Sequence, residues 1–323
     1  MKSNLLHKSI STIEANSQQH EISLLKQQGM DKNNHIETRL MKNWRSPLRY
    51  PGGKQKDLPI FTPYFRSAKE YREPFLGGGS VLLHAIGSQV AQAFWANDAN
   101  PLLMDFWQQV QTDAIALARL VRSLRDDYDG ERRKCDQWVA FRDRYQQKLA
   151  DLPSDRLHNA ARFFILNRST ASGLTESGGM TAAAYCGRFT ESSIQRLENL
   201  QHRLAGVQLT CGDYRSLLRS PGEDVFIFLD PPYFSAEQSR LYGRSGDLHK
   251  GFNHQQLADE LRDCPHDWLM TIDDCDAIQD LYSSQWADLQ PWTKPYSMTN
   301  TQGRRSKAGR ELLIAKRGLL THA

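Results

Sequence analysis

Asp230-Pro231-Pro232-Tyr233 gathers the residue types with the most chemical potential in this chain. It follows Val225-Phe226-Ile227-Phe228-Leu229, a continuous apolar run of the kind found in strands buried on both faces. Two prolines after such a strand stiffen the exit and remove two backbone donors. A carboxylate, a carbonyl and an aromatic ring are thereby held in one rigid cluster. That set suits an exocyclic amine, with two acceptors for its two hydrogens and a ring for the base that carries it. Glu73-Pro74-Phe75-Leu76-Gly77-Gly78-Gly79-Ser80 offers a second chemistry. Its glycines permit a tight turn and a close approach to a ligand, where any Cβ would collide. A helix N-terminus behind them would present unpaired N–H groups, a common way to hold a nucleotide-like cofactor. About twenty residues further on comes Asn97-Asp98, where a doubly wound fold places the acidic residue that hydrogen-bonds ribose hydroxyls.

These groups need a sheet to position them. Residues 70–74, 93–98, 207–211, 225–229, 268–272, 295–298 and 311–315 read as strands, the third to fifth being compact apolar runs. Ser80–Ser88 reads as the helix behind the glycine turn. Residues 105–150 are helical by spacing, with Ile115, Leu117, Leu120, Val121 and Leu124 on one face. Helices are also expected at 160–166 and 194–204, and a long loop of small residues at 167–190. Strands alternating with helical patterns predict an α/β sheet. The mainly helical block 105–205 reads as an insertion into a domain made of 44–104 and 206–323. Residues 1–43 are polar and lack Val, Phe, Trp and Tyr, so they read as a disordered arm.

The chain resembles the Dam-type DNA adenine-N6 methyltransferases (D12 class, alpha group) over residues 46–317. The resemblance rests on Tyr50-Pro51-Gly52-Gly53-Lys54, on Glu73 to Val81, on Asn97-Asp98 and on Asp230-Pro231-Pro232-Tyr233, in that order. Further echoes are Asn167-Arg168 with Gly173-Leu174, Gly187-Arg188-Phe189, Gly212-Asp213-Tyr214 and Arg310-Glu311-Leu312-Leu313. It implies a Rossmann-like S-adenosylmethionine methyltransferase sheet with an inserted, mainly helical DNA-recognition domain. It also implies S-adenosyl-L-methionine as cofactor, and no metal. Tyr50 and Lys54 would stand beside that cofactor, with Phe75, Gly77 and Gly79 around its methionine portion. Asp98 would hold its ribose, Asp213 its adenine amine with Tyr214 following, and Asp230 would lie where cofactor and target base meet. Asp230, Pro231, Pro232 and Tyr233 would carry catalysis on an adenine flipped out of duplex DNA. Two departures bear on the target sequence. Thr271-Ile272-Asp273-Asp274 stands where relatives carry Ser-Asn-His-Asp, and Ser172-Gly173 stands where Asn-Gly is usual.

Cations for the DNA backbone are expected in two places. The 167–190 loop carries Arg168 and Arg188 among small residues. Residues 299–310 hold Arg304, Arg305, Lys307 and Arg310 with no acid, a candidate phosphate contact. Net charge, +4 from 41 basic and 37 acidic residues, averages over both signs and names no partner. Five cysteines form no CxxC pair, which argues against a disulfide framework or a structural zinc site. No run approaches a membrane span, and the start lacks an apolar signal core. The expectation is a cytoplasmic, monomeric enzyme on double-stranded DNA, with a possible cognate restriction enzyme. Cytosine N4, RNA adenine and a DNA-binding regulator without turnover are the competing readings. Asp230 in place of Asn argues against a protein amide as acceptor.

Overall fold

The computed structural model describes residues 44–125, 135–170, 173, 175, 179–234, 251–282, 285–294 and 309–320. The proposed arm, 1–43, lies outside them. Seven strands form one sheet: β1 (Ala68–Glu73), β2 (Ala91–Asp98), β3 (Gln208–Cys211), β4 (Val225–Leu229), β5 (Asp267–Asp273), β6 (Ala287–Lys294) and β7 (Gly309–Lys316). Their order is β3-β2-β1-β4-β5-β7-β6. The first five run parallel, and β7 is antiparallel to both β5 and β6. This is the Rossmann-like sheet that the resemblance implied. Strand order reverses between β1 and β4, so their carboxyl ends open side by side at the topological switch point, where such sheets bind ligands.

The apolar run 225–229 is explained by the two faces it meets. Phe226 and Phe228 pack into one hydrophobic cluster, while Val225, Ile227 and Leu229 pack into the other. Helix α1 (Ser80–Gly87) joins β1 to β2 and buries Val81, Leu82, Leu83 and Ala85. Between β2 and β3 come α2 (Pro101–Leu124), α3 (Cys135–Ala150), α4 (Arg156–Ser169), α5 (Ala182–Arg188) and α6 (Glu191–Glu198). Their core residues, among them Trp107, Phe141, Phe164 and Ile194, belong to the same cluster as Tyr71 and Phe226 of the sheet. Asn100 caps α2 by accepting from Leu102 and Leu103 N–H, with Pro101 preset for the first turn. The helix is kinked at Asp113 (φ −155°, ψ 80°). There Gln201 accepts from Ala114 N–H and donates to the Thr112 carbonyl, so the broken ladder keeps its partners. After β3 follow α7 (Arg215–Arg219), α8 (His254–Arg262) and α9 (Asp276–Leu281). Helix α8 buries His254, Leu257, Ala258 and Leu261, a three-and-four spacing, against the second cluster.

The strand expected at 295–298 falls in 295–308, outside the described residues, and a strand that no expectation covered occupies Ala287–Lys294. Among the described strands β6 pairs with β7 alone, so Gln290, Pro291 and Thr293 are exposed and no apolar run marks it. Pro291 is tolerated at such an edge because it leaves no interior ladder bond unmade. The loop expected over 167–190 is partly helical, since α4 runs on to Ser169 and α5 fills 182–188. Short α7, α8 and α9 lie in sequence that was not read as helical.

Candidate active site

The walls of the site are β1, β2, β4 and β5 at their carboxyl ends. Tyr50 to Lys54 form a turn closed by Gly53 N–H donating to the Tyr50 carbonyl at 3.0 Å. This turn presses onto the glycine loop. A Cβ on Gly77 would stand 3.1 Å from the Tyr50 ring, and one on Gly78 would stand 2.7 Å from Tyr50 Cβ. On Gly79 it would meet Trp107 at 2.5 Å. Gly77 and Gly79 also take φ of +47° and +64°. The glycines are therefore required by the protein's own side chains. These contacts with Tyr50 and Trp107 are a demand on the loop beyond the close approach to a ligand expected from the sequence.

Asp98 shapes the same loop. Its Oδ2 accepts from Gly77 N–H at 2.9 Å and its Oδ1 from Asn100 N–H at 3.0 Å. Burial raises its carboxyl, against the pull of these backbone donors. A carboxylate offers about four lone-pair sites, so capacity remains for hydroxyls. Asn97 is buried and links three strand ends, donating to the Pro74 and Gly212 carbonyls and accepting from Thr210 Oγ1.

Asp230 sits at the end of β4 in an ion pair with Lys54, whose Nζ is 2.7 Å from Oδ1 and 2.8 Å from Oδ2. The lysine is 2% exposed and the aspartate 23%. Lys54 also donates to the Gly52 carbonyl at 3.0 Å. Thr271 Oγ1 donates to Asp230 Oδ1 at 3.0 Å. The Tyr233 ring lies beneath the same ammonium, 4.8 Å from Nζ to its centroid. Its hydroxyl donates to Glu311 Oε2 at 2.7 Å. Phe234 N–H donates to Asp273 Oδ1 at 2.8 Å.

Opposite the glycine loop is an aromatic group. Phe75 stacks on Tyr214 with centroids 5.2 Å apart, and Phe252 closes on both at 5.8 and 5.7 Å. Burial pushes the Tyr214 phenol up to about 12, with the negative Asp213 adding to the shift. Its hydroxyl is buried and has no hydrogen-bond partner among the described residues. Asp213 itself is paired with Arg215, Oδ2 to Nη2 at 2.7 Å.

Beneath the site is a buried carboxyl that sequence reasoning passed over. Glu73 ends β1, is 2% exposed, and accepts from Tyr71 Oη at 2.7 Å. Burial drives its carboxyl well above the ordinary range, and the charges of Asp230 and Asp98 push the same way against the Tyr71 hydrogen bond. The folded protein thus binds this proton more tightly than the unfolded chain does. The stability it contributes is full below the ordinary carboxylate range and is lost as pH climbs through the raised value. Glu73→Gln keeps an acceptor for Tyr71 and removes the titration. Its melting temperature is expected to fall less than that of the wild type between about pH 5 and pH 8. Parallel thermal denaturation of the two proteins measures the difference.

The expected DNA-contacting cations separate. Arg188 is exposed. Arg304, Arg305 and Lys307 lie outside the described residues. Arg168 is buried on α4, with its guanidinium donating to backbone carbonyls. Nε and Nη2 donate to the Arg188 carbonyl at 2.9 and 2.6 Å, and Nη1 donates to the Pro47 carbonyl at 3.3 Å. Burial lowers its pKa to about 10, with Arg196 adding repulsion. Its neighbour Asn167 is equally structural, accepting from Arg49 N–H and donating to the Arg49 and Gly173 carbonyls. Arg168→Ala is expected to cost about 2–3 kcal/mol of stability. The salt dependence of DNA binding should stay unchanged, whereas Arg188→Ala should flatten it with no loss of melting temperature. Thermal denaturation and binding titrations at several salt concentrations separate the two roles.

Sequence reasoning also missed Thr271, Asp273, Glu311 and Phe252. Glu311 carried a signal in Arg310-Glu311-Leu312-Leu313, and Thr271 and Asp273 one in Thr271-Ile272-Asp273-Asp274, whereas Phe252 carried none. Among the described residues no helix is long and apolar enough to cross a membrane, and no group of His, Cys, Asp and Glu is placed to hold a metal.

Residues 50–298 match the family described as D12 class N6 adenine-specific DNA methyltransferase. The chain is 30% identical over 193 residues to the DNA N-6-adenine-methyltransferase of Escherichia phage P1, covering 58% of this chain and 24% of that protein. It is 31% identical over 200 residues to the type II methyltransferase M.MjaIII of Methanocaldococcus jannaschii, covering 58% of this chain and 68% of the other. The DNA adenine methylase of Vibrio cholerae is 24% identical over 196 residues, with 60% and 66% covered. With its Asp-Pro-Pro-Tyr cluster and glycine loop at one switch point, and a family match across most of its length, the chain belongs to the D12 class N6 adenine-specific DNA methyltransferases.

Proposed function

We propose that this chain transfers a methyl group from S-adenosyl-L-methionine to N6 of an adenine flipped out of duplex DNA. The observation that carries the reading is the state of Asp230. Lys54 and Thr271 orient its carboxylate, and the same Lys54 ammonium stands over the face of a tyrosine ring anchored at its far end. The residues present also fit the cofactor. Phe75, Tyr214 and Phe252 form an aromatic wall that carries a buried, unpartnered hydroxyl. Asp98 keeps acceptor capacity for ribose. Tyr50, Lys54, Phe75, Gly77, Gly79, Asp98, Asp213 and Tyr214 would hold the cofactor. Recruiting Asp213 to its adenine amine would require sharing it with Arg215. When bound, the cofactor supplies a methyl group activated by its sulfonium charge.

The chain's own residues deal with the weakness of N6 as a nucleophile, whose lone pair is delocalised into the ring. Asp230 Oδ2 and the Pro231 carbonyl accept the two N6 hydrogens and draw the nitrogen toward a tetrahedral shape. Pro231 and Pro232 keep these acceptors from moving. Positioning of this kind supplies up to about 7–11 kcal/mol in ideal cases. As positive charge develops on N6, the Asp230 carboxylate and the Tyr233 face stabilise it. The hydrogen that N6 gives up leaves through its bond to Oδ2.

Residues 44–104 and 206–323 would carry this chemistry, and 105–205 would read the target, with Arg188 at the backbone. The relatives' names give DNA as what those proteins methylate; a duplex substrate and a cognate restriction enzyme as partner belong to this reading. The reading includes a monomer in the cytoplasm. Incubating the purified chain with cofactor and separate duplex DNA, single-stranded RNA and protein substrates tests it. Mass spectrometry is expected to find N6-methyladenine in DNA at one motif. N4-methylcytosine, methylation of RNA alone, or tight DNA binding with no transfer would each replace the proposal.

A further inference from the structure

We propose that Glu311 is a positioning residue for Tyr233, fixing the plane of its ring and enriching its face for the cationic amine. The inference rests on the reading of Tyr233 as the ring that meets the target base.

Glu311 lies in the body of β7, paired with Asp273 of β5 on one side and Trp292 of β6 on the other. It is fully buried, at 0% exposure. A carboxylate in a sheet interior is costly to desolvate, and an apolar residue of similar size would serve packing as well or better. There it accepts the hydrogen of Tyr233 Oη at 2.7 Å. The next residue is tied to the next strand, with Phe234 N–H donating to Asp273 Oδ1 at 2.8 Å. Since Asp273 and Glu311 are register partners, the segment leaving β4 is fastened to adjoining strands at two successive residues. A tyrosine side chain otherwise turns about two bonds. Anchoring the phenol oxygen fixes the long axis of the ring, and because a phenol O–H lies in the ring plane, the direction of Glu311 Oε2 selects that plane.

The anchor has an electronic consequence too. A carboxylate that accepts from a phenol leaves more electron density on the ring and makes its face more negative. That face already draws a cation, for the Lys54 ammonium stands 4.8 Å above it. The aminium that develops on N6 is the same kind of charge, and Asp230 lies beside both. Glu311 therefore acts on the reaction through Tyr233, without reaching the base. With the phenol hydrogen given to Glu311, the ring's face is what it offers the base.

Four variants test this: Glu311→Gln, Glu311→Leu, Tyr233→Phe and the double variant Tyr233→Phe/Glu311→Leu. Steady-state kinetics on duplex DNA give kcat and KM, and a duplex with 2-aminopurine at the methylated position reports stacking. Glu311→Gln keeps an acceptor but not the charge, and its kcat is expected to fall about fivefold with KM for cofactor unchanged. Glu311→Leu should fall further, to the level of Tyr233→Phe, with less quenching of 2-aminopurine. The double variant should be no slower than either single one, since both remove one interaction. It also leaves neither a buried hydroxyl nor a buried carboxylate behind, so its melting temperature should not fall below that of Glu311→Leu. An active wild type with Glu311→Leu equal to it in kcat and quenching, or with the two changes multiplying, overturns this inference alone. A wild type that methylates no DNA overturns the functional reading and the inference with it.

Discussion

Asp230→Asn is expected to lower methyl transfer to DNA by at least about 10³-fold while the protein still folds and binds its cofactor. The carboxylate has two duties, and the substitution separates them. It receives a hydrogen of N6, and its negative charge meets the positive charge that N6 acquires. Asn keeps one acceptor oxygen but puts an N–H₂ group on the other position. That group faces either the amine or the Lys54 ammonium, both of which are donors. The charge is lost in every orientation. Asp230→Ala is the less informative variant, because Lys54 is only 2% exposed and would lose its acceptor oxygens as well as its counter-ion, whereas Asn keeps one acceptor for it. Stranding a buried charge in this way costs about 3–5 kcal/mol, enough to confuse loss of fold with loss of chemistry. Thermal denaturation, calorimetric titration with S-adenosyl-L-methionine and mass spectrometry of the DNA product are to be run on the same preparation. Asn at near wild-type rate would sink the assignment of Asp230 as the acceptor of N6.

How much of this site was legible in the chain depends on how local each signal is. The switch-point strand could be read because β4 is buried on both faces, which forces five consecutive apolar residues, and because Asp-Pro-Pro-Tyr follows without a break. The glycine loop could be read because positive φ narrows the choice of residue. Its cause could not, since Tyr50 and Trp107 approach it from 27 and 28 residues away in sequence. The partners of Asp230 lie further still. Lys54 is 176 residues from it and Thr271 is 41. Neither was assigned to it, because pairing across that distance is a product of strand order.

Arg168 and Glu311 show the same limit from the side of charge. An arginine among small residues reads as a surface probe until two backbone carbonyls are seen to receive it. A glutamate opening the strand 311–315 shows nothing of its partner until it is found under a tyrosine. Edge strand β6 escaped notice for the opposite reason. Gln290, Pro291 and Thr293 meet solvent, so burial imposed no pattern on them.

Gly79→Ala is expected to cost about 2–4 kcal/mol of stability and about 10²-fold in affinity for S-adenosyl-L-methionine. Two penalties add. An alanine at φ +64° takes on the strain of the left-handed region, about 1–2 kcal/mol. Its Cβ would then meet Trp107 Cζ2 at 2.5 Å, closer than real methyl contacts come. The indole cannot yield cheaply. It is fully buried, packs edge-on to Phe106 with centroids 5.2 Å apart, and its Nε1 donates to the Gly77 carbonyl at 3.1 Å. Moving it would release the loop at the very residue whose N–H is received by Asp98. The loop must shift instead, which alters the groups expected around the cofactor. Shrinking the obstacle separates the two penalties. Added to Gly79→Ala, Trp107→Leu should return part of the lost melting temperature by relieving the clash. It should not restore full affinity, because the φ strain persists and the donor to Gly77 is gone. Calorimetric titration and thermal denaturation of the single and double variants read both quantities. A Gly79→Ala protein that binds the cofactor as the wild type does would show that the loop is not part of its site.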